Sequence, residues 1–154
     1  MKKQLIALVA TTTLASSAFA QTTVTAPWVR ATVPQQTSGG AFMQLRSADS
    51  AKLVSVTSPV AASAQLHKME MSGQMMKMRE VDAIDLPAGQ TVSLGSGGFH
   101  IMLTGLKKQL KEGESVPMSL VIEHQGGKRE TIAVSAPVKP LTYAAPPDAA
   151  TMRH

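Results

Sequence analysis

Cysteine is absent from all 154 residues. That excludes structural disulfides, so an exported version of this chain would have to rely on its hydrophobic core alone. It also removes thiolate as a metal ligand, and with it the blue copper site, which takes a Cys sulfur alongside two His. Positive charge is present but dispersed. The formal charge is +5, and two of the basic residues, Lys2 and Lys3, sit at the extreme N-terminus. The densest basic group, Lys107, Lys108 and Lys111, reads as a solvated turn and not as a nucleic-acid face. The acidic residues Asp49, Glu70, Glu80, Asp82 and Asp85 form no oxygen cluster of the kind calcium or magnesium takes. No Ser-His-Asp or paired-carboxylate motif stands out, so the sequence is not read as an enzyme.

Long apolar runs are also missing. The first twenty residues, MKKQLIALVATTTLASSAFA, have a basic start, a short apolar middle and a small-x-small ending at Ala18-Phe19-Ala20. The apolar stretch is far shorter than the roughly 20 residues of a membrane span. This is the pattern of a cleaved secretory signal peptide, residues 1–20, with Gln21 the first mature residue. No later segment could cross a bilayer. The expected domain covers 21–138, with residues 21–25 loose. The composition then shifts to KPLTYAAPPDAATMRH, rich in Pro and Ala, which reads as a flexible tail over 139–154.

Helical periodicity is scarce as well. Short β-branched runs punctuated by Gly, Pro and Ser predict strands at 28–32, 40–46, 52–57, 64–71, 75–84, 91–94, 100–103, 116–124 and 129–138. The clearest hairpin is MSLVIEHQGGKRETIAVSAPV, turning at Gln125-Gly126-Gly127. Ser72-Gly73-Gln74 and Leu86-Pro87-Ala88-Gly89 are further turns. The stretch 106–110 is compatible with a single helical turn. Many strands at short spacing in one domain imply an all-β sandwich or small Greek-key barrel.

Methionine, by contrast, is plentiful and unevenly placed. Of ten Met, five fall in HKMEMSGQMMKM, residues 67–78. Alternation along a strand puts His67, Met69 and Met71 on one face and Lys68 and Glu70 on the other. The returning arm puts Met76 and Met78 on one face. In FHIMLTGL, His100 and Met102 share a face, and Phe99, Ile101 and Leu103 share the opposite, apolar one. A domain would bury the apolar face, leaving His100 and Met102 outward or at a rim. Two His-x-Met pairs beside a Met-dense hairpin fit soft Cu(I), which accepts neutral imidazole and thioether ligands. Zinc would more readily bring Cys or carboxylates. Alternation alone does not choose among Met69, Met71, Met75, Met76 and Met78. Met43 and Met118 read as core, and His124, beside the Gly126-Gly127 turn, as solvated. The tail ends Met152-Arg153-His154, which could hold a second copper.

At these residues the sequence resembles the periplasmic copper(I) chaperones called PCu(A)C. Their signature is His, ten residues, Met, twenty-one residues, then His-x-Met. Here His67 is followed by residues 68–77, then Met78, residues 79–99, and His100-Ile101-Met102. Trp28-Val29-Arg30, Ser58-Pro59-Val60-Ala61 and Ile84-Asp85-Leu86-Pro87-Ala88-Gly89 are similar too, so the likeness runs from about 26 to 138. One departure is Arg46-Ser47, where the family usually carries Asn. The resemblance implies a cupredoxin-like Greek-key barrel and an exposed site for one Cu(I), with ligands His67, Met78, His100 and Met102. It implies a monomeric periplasmic metallochaperone without catalysis. Such a protein delivers copper to the dinuclear copper centre of cytochrome c oxidase, to its subunit II or through a thioredoxin-like Sco partner. Copper scavenging or resistance is the alternative use of the same site.

Overall fold

A computed structural model of the chain describes residues 21–95 and 98–144. The expected signal peptide and the last ten residues, including Met152 and His154, lie outside it. Ten strands account for most of the described chain: β1 Thr22–Arg30, β2 Ser38–Ser47, β3 Ala51–Thr57, β4 Ala61–Ser72, β5 Met75–Val81, β6 Ile84–Leu86, β7 Thr91–Leu94, β8 Phe99–Leu106, β9 Ser115–His124 and β10 Arg129–Lys139. Among the described residues there is no α-helix. The fold is all-β and cupredoxin-like.

The strand order is β5-β4-β8-β7-β2-β1-β10-β9-β3-β6, with β2 pairing β8 at one end and β7 at the other. The two halves are joined where β1 and β10 run parallel, Val29 beside Val138. Both halves contribute to one core. Ala41, Met43 and Leu45 of β2, Ile101 and Leu103 of β8, Leu53 of β3 and Val116, Met118, Leu120 and Ile122 of β9 all turn into it. Each set is spaced by two along its strand, so alternation sends one face inward and frees the other. Met43 and Met118 are core residues, as their strand patterns imply.

Tight turns fix the register. Gly73 has φ +65°, which closes the two-residue turn between Ser72 and Met75 at little conformational cost for glycine. At Gly105, φ is +63° and an added Cβ would lie 2.7 Å from Ala62 Cβ, so the close approach of β8 and β4 needs the missing side chain.

Several expectations change on contact with the tertiary structure. Residues 22–25 are not loose: they pair with β2 from Ser47 back to Gln44, and Thr22 is buried. The single run expected over 75–84 divides, because Ile84 leaves β5 to pair with Leu53 in the other half. Stretch 106–110 forms no helical turn; Leu106 closes β8 and Leu110 is fully buried. Residues 139–144, placed with the tail by composition, are tied to the domain at three points: Lys139 ends β10, Arg30 donates to the Leu141 carbonyl at 2.8 Å, and the Tyr143 ring meets Trp28 edge-on.

His124 is not solvated. It is 6% exposed, and its ring lies between two carboxylates, with Nδ1 2.7 Å from Asp49 and Nε2 2.7 Å from Glu130. Burial alone would lower its pKa. The hydrogen bonds to Glu130 and Asp49, with the charges of both carboxylates, outweigh burial and raise it. Asp49 is held below the usual carboxylate value, chiefly by the same bond to His124. Nothing in the spacing foretells this cluster, because the three residues come from a loop and two strand ends. Ser47, at the departure from the resembling family, is buried and donates to Asp49.

Candidate metal centre

Strands β8, β4 and β5 lie side by side, and their registers decide which side chains meet. His67 of β4 stands opposite His100 of β8, and Gln65 opposite Met102. On the other flank, Met69 stands opposite Met78, and Met71 opposite Met76. Residues directly opposite share a face. All four expected ligands, His67, Met78, His100 and Met102, therefore sit on one face of three adjacent strands. Leu66, Ile101 and Leu103 point from the other face into the core.

Within this patch His67 is central. Its Nδ1 lies 2.6 Å from the Met78 sulfur, and its Nε2 lies 3.0 Å from Gln65 Oε1. A neutral imidazole carries one N–H. With Nε2–H donating to Gln65, Nδ1 presents a lone pair toward the thioether. The imidazole nitrogen and the thioether sulfur are thus brought side by side. The His100 ring packs against His67 with centroids 5.5 Å apart and planes at 63°. Gln65 was missed by the sequence reading, although its place two residues before His67 on the same strand could have flagged it.

Exposure is graded across the patch. Met78 is 49% exposed, His67 and Met102 are partly buried, and His100 is only 8% exposed. The expectation of an outward His100 holds for the face it occupies but not for its accessibility. Burial lowers the His100 pKa, and the nearby His67 lowers it further, against a weaker opposing effect of the Gly98 backbone. His100 is therefore neutral at ordinary pH, the form that binds metal.

The charged residues of the hairpin keep to its other side. Lys68, Glu70, Lys77 and Arg79 alternate with the His and Met positions, and Glu70 lies 3.6 Å from Lys68 and 3.8 Å from Arg79. Glu80, opposite His67, is the charged residue of these two strands that shares the ligand face. Among the described residues, no group of three or more His, Asp or Glu is disposed to hold a metal. Glu80 and Gln65 aside, the donors on this face are imidazole and thioether, which suit a soft monovalent ion better than a hard divalent one.

Comparison with known proteins places the whole chain. Residues 22–138 match the family model described as "Putative lipoprotein LpqE-like". The chain belongs to the LpqE-like family. A protein of Leifsonia xyli subsp. xyli named "Putative lipoprotein Lxx21020" is 33% identical over 122 residues, covering 79% of this chain and 71% of that protein. Among solved structures, the Cu(I)-bound solution structure of DR1885 from Deinococcus radiodurans is 36% identical, with TM-score 0.57, covering 77% of this chain and 76% of its own. The apo PCuAC domain of PmoF1 is 22% identical with TM-score 0.63, covering 79% and 95%, and shares the fold. No helix among the described residues is long and apolar enough to cross a membrane.

Proposed function

We propose that this member of the LpqE-like family is a copper(I) chaperone of the cell envelope, a PCu(A)C protein that binds one Cu(I) through His67, Met78, His100 and Met102. The observation that carries the reading is the His67 side chain. One ring nitrogen is tied to Gln65 and the other is turned onto the Met78 sulfur, with His100 and Met102 on the adjoining strand. The similarity to Cu(I)-bound DR1885 supports the same metal and oxidation state.

Two imidazoles and two thioethers add no charge, so they favour Cu(I) over Cu(II), and the absence of Cys spares the site from loss to a disulfide. Met78 is the most exposed of the four, so an acceptor ligand enters on that side as the Met78 sulfur leaves. Each exchange forms one bond to copper as another breaks, without electron transfer. No catalytic group takes part. The protein leaves the cytoplasm by its first twenty residues and works in the periplasm as a monomer. The lipoprotein names of its relatives agree with an envelope location, but the sequence offers no Cys thiol for lipid attachment. The acceptor is the dinuclear copper centre of cytochrome c oxidase, reached directly or through a Sco-type partner.

The test is delivery. Cu(I)-loaded protein is mixed with the reduced soluble copper domain of oxidase subunit II, with and without a Sco-type protein, and transfer is followed by metal analysis of the separated proteins. Transfer, together with loss of oxidase activity in a deletion strain starved of copper, supports the reading. Sensitivity of that strain only to excess copper, with oxidase intact, would mean scavenging instead.

A further inference from the structure

Three methionines on the His67 face have no part in the four-ligand site. Met69, Met71 and Met76 share that face by register, whereas Met75, opposite Ser72, lies on the charged side of the hairpin. Met71 is 64% exposed and Met76 48% exposed, and neither belongs to the core cluster. Four of the six large exposed hydrophobic residues among those described are methionines of this one hairpin: Met71, Met75, Met76 and Met78. Core filling therefore does not account for them.

Their order along the hairpin is regular. The Met71–Met76 pair lies nearest the turn, the Met69–Met78 pair two residues further in, and His67 with His100 two residues beyond that. Directly opposed side chains on one face have Cβ atoms about 5 Å apart and diagonal neighbours about 7–8 Å apart. Unbranched thioether side chains can close those gaps onto one ion. Lys68, Glu70, Lys77 and Arg79 are all turned to the other face, so this end of the sulfur row carries no positive charge to repel a cation.

We propose that Met71 and Met76, with Met69 behind them, form a second, sulfur-only Cu(I) site at the hairpin end, from which the ion passes inward to His67. Each handover forms one bond from copper to sulfur or nitrogen as one copper–sulfur bond breaks, and the ion stays Cu(I). The Met71–Met76 site goes beyond the four-ligand reading, and the two fail separately in the experiment below.

Protein comprising residues 21–154, labelled with carbon-13 at the methionine methyls, is titrated with Cu(I) alone under anaerobic reducing conditions. The first equivalent should move the Met78 and Met102 methyls. The second should move Met71, Met76 and Met69, leaving Met75, Met43 and Met118 in place. Acidification should weaken the first equivalent, whose imidazoles protons compete for, more than the second, because a thioether takes up no proton. Met71→Leu with Met76→Leu keeps size and apolar character, so it should abolish the second equivalent and spare the first, whereas Met75→Leu should change nothing. A missing second equivalent, one that moves Met75 or Met152 instead, or one that survives the double leucine variant overturns the proposal. Movement of Met71 and Met76 without Met78 and Met102 would uphold it and discard the four-ligand site.

Discussion

Gln65 touches no metal in the scheme above, yet it should govern affinity. Replacing it with Ala removes the acceptor 3.0 Å from His67 Nε2. His67 then loses the partner that keeps its Nδ1 lone pair on the Met78 side. A neutral hydrogen bond contributes about 1 kcal/mol, and partners behind a metal-binding His are worth roughly 10–100-fold in affinity. The bond is partly buried and single, so the loss belongs at the low end, about 1.4 kcal/mol or roughly tenfold in Kd. Gln65→Glu should do the reverse. A carboxylate accepts the Nε2–H more strongly and places negative charge near the cation, so Cu(I) should bind more tightly than in the unaltered protein. The assay is competition against a chromophoric Cu(I) chelator at neutral pH, with circular dichroism to check the fold. An unchanged Kd in Gln65→Ala, or weaker binding in Gln65→Glu than in Gln65→Ala, would refute the role given to His67 and its tautomer.

His100→Ala combined with Met102→Ala should abolish tight Cu(I) binding while circular dichroism stays native; unchanged affinity with a native spectrum would remove both residues from the site. Ile101→Ala, on the core face between them, should instead cost about 2–5 kcal/mol of stability through the cavity it leaves, read by urea unfolding. Cu(I) affinity should fall on acidification, as protons compete for the imidazoles. Because the His100 pKa is lowered, its share of the loss should come on the acid side of about pH 6.5, as chelator competition across pH would reveal. His124 reports on stability instead. Its pKa is raised in the fold, so its contribution is complete below the unfolded value of about 6.5 and is lost as pH rises through the folded value. Asp49, whose pKa is lowered, contributes above its ordinary value and loses that contribution as pH falls through the folded one. The melting temperature should therefore fall on the alkaline side, and His124→Gln should flatten that slope.

The legible parts of this fold were those written in alternation. Nine predicted strands have counterparts in the structure, and the shared face of His67, Met69 and Met71 followed from spacing alone. Spacing could not say which strand lies beside which. The pairing of β4 with both β8 and β5 brings Met78 to His67, and only resemblance to a family singled out Met78. Gln65 was overlooked although its i−2 position puts it on the His67 face; that its amide meets the ring is visible only once the ring is placed. His124 was misread for a similar reason. Its carboxylate partners lie 75 and 6 positions away in sequence, and a His beside a Gly-Gly turn looks solvated until those loops converge. The N-terminal residues 22–25 looked loose because their threonines carry no strong pattern; the partner strand β2 supplies their order.

Cu(I) titration of residues 21–154 against a chromophoric chelator, with copper-edge X-ray absorption at the first equivalent, addresses the four-ligand site most directly. One tightly held Cu(I) with both nitrogen and sulfur scatterers, lost in His67→Ala, is the expected outcome. A first equivalent with sulfur alone around the metal, or no tight binding at all, would mean that His67, Met78, His100 and Met102 are not the copper site.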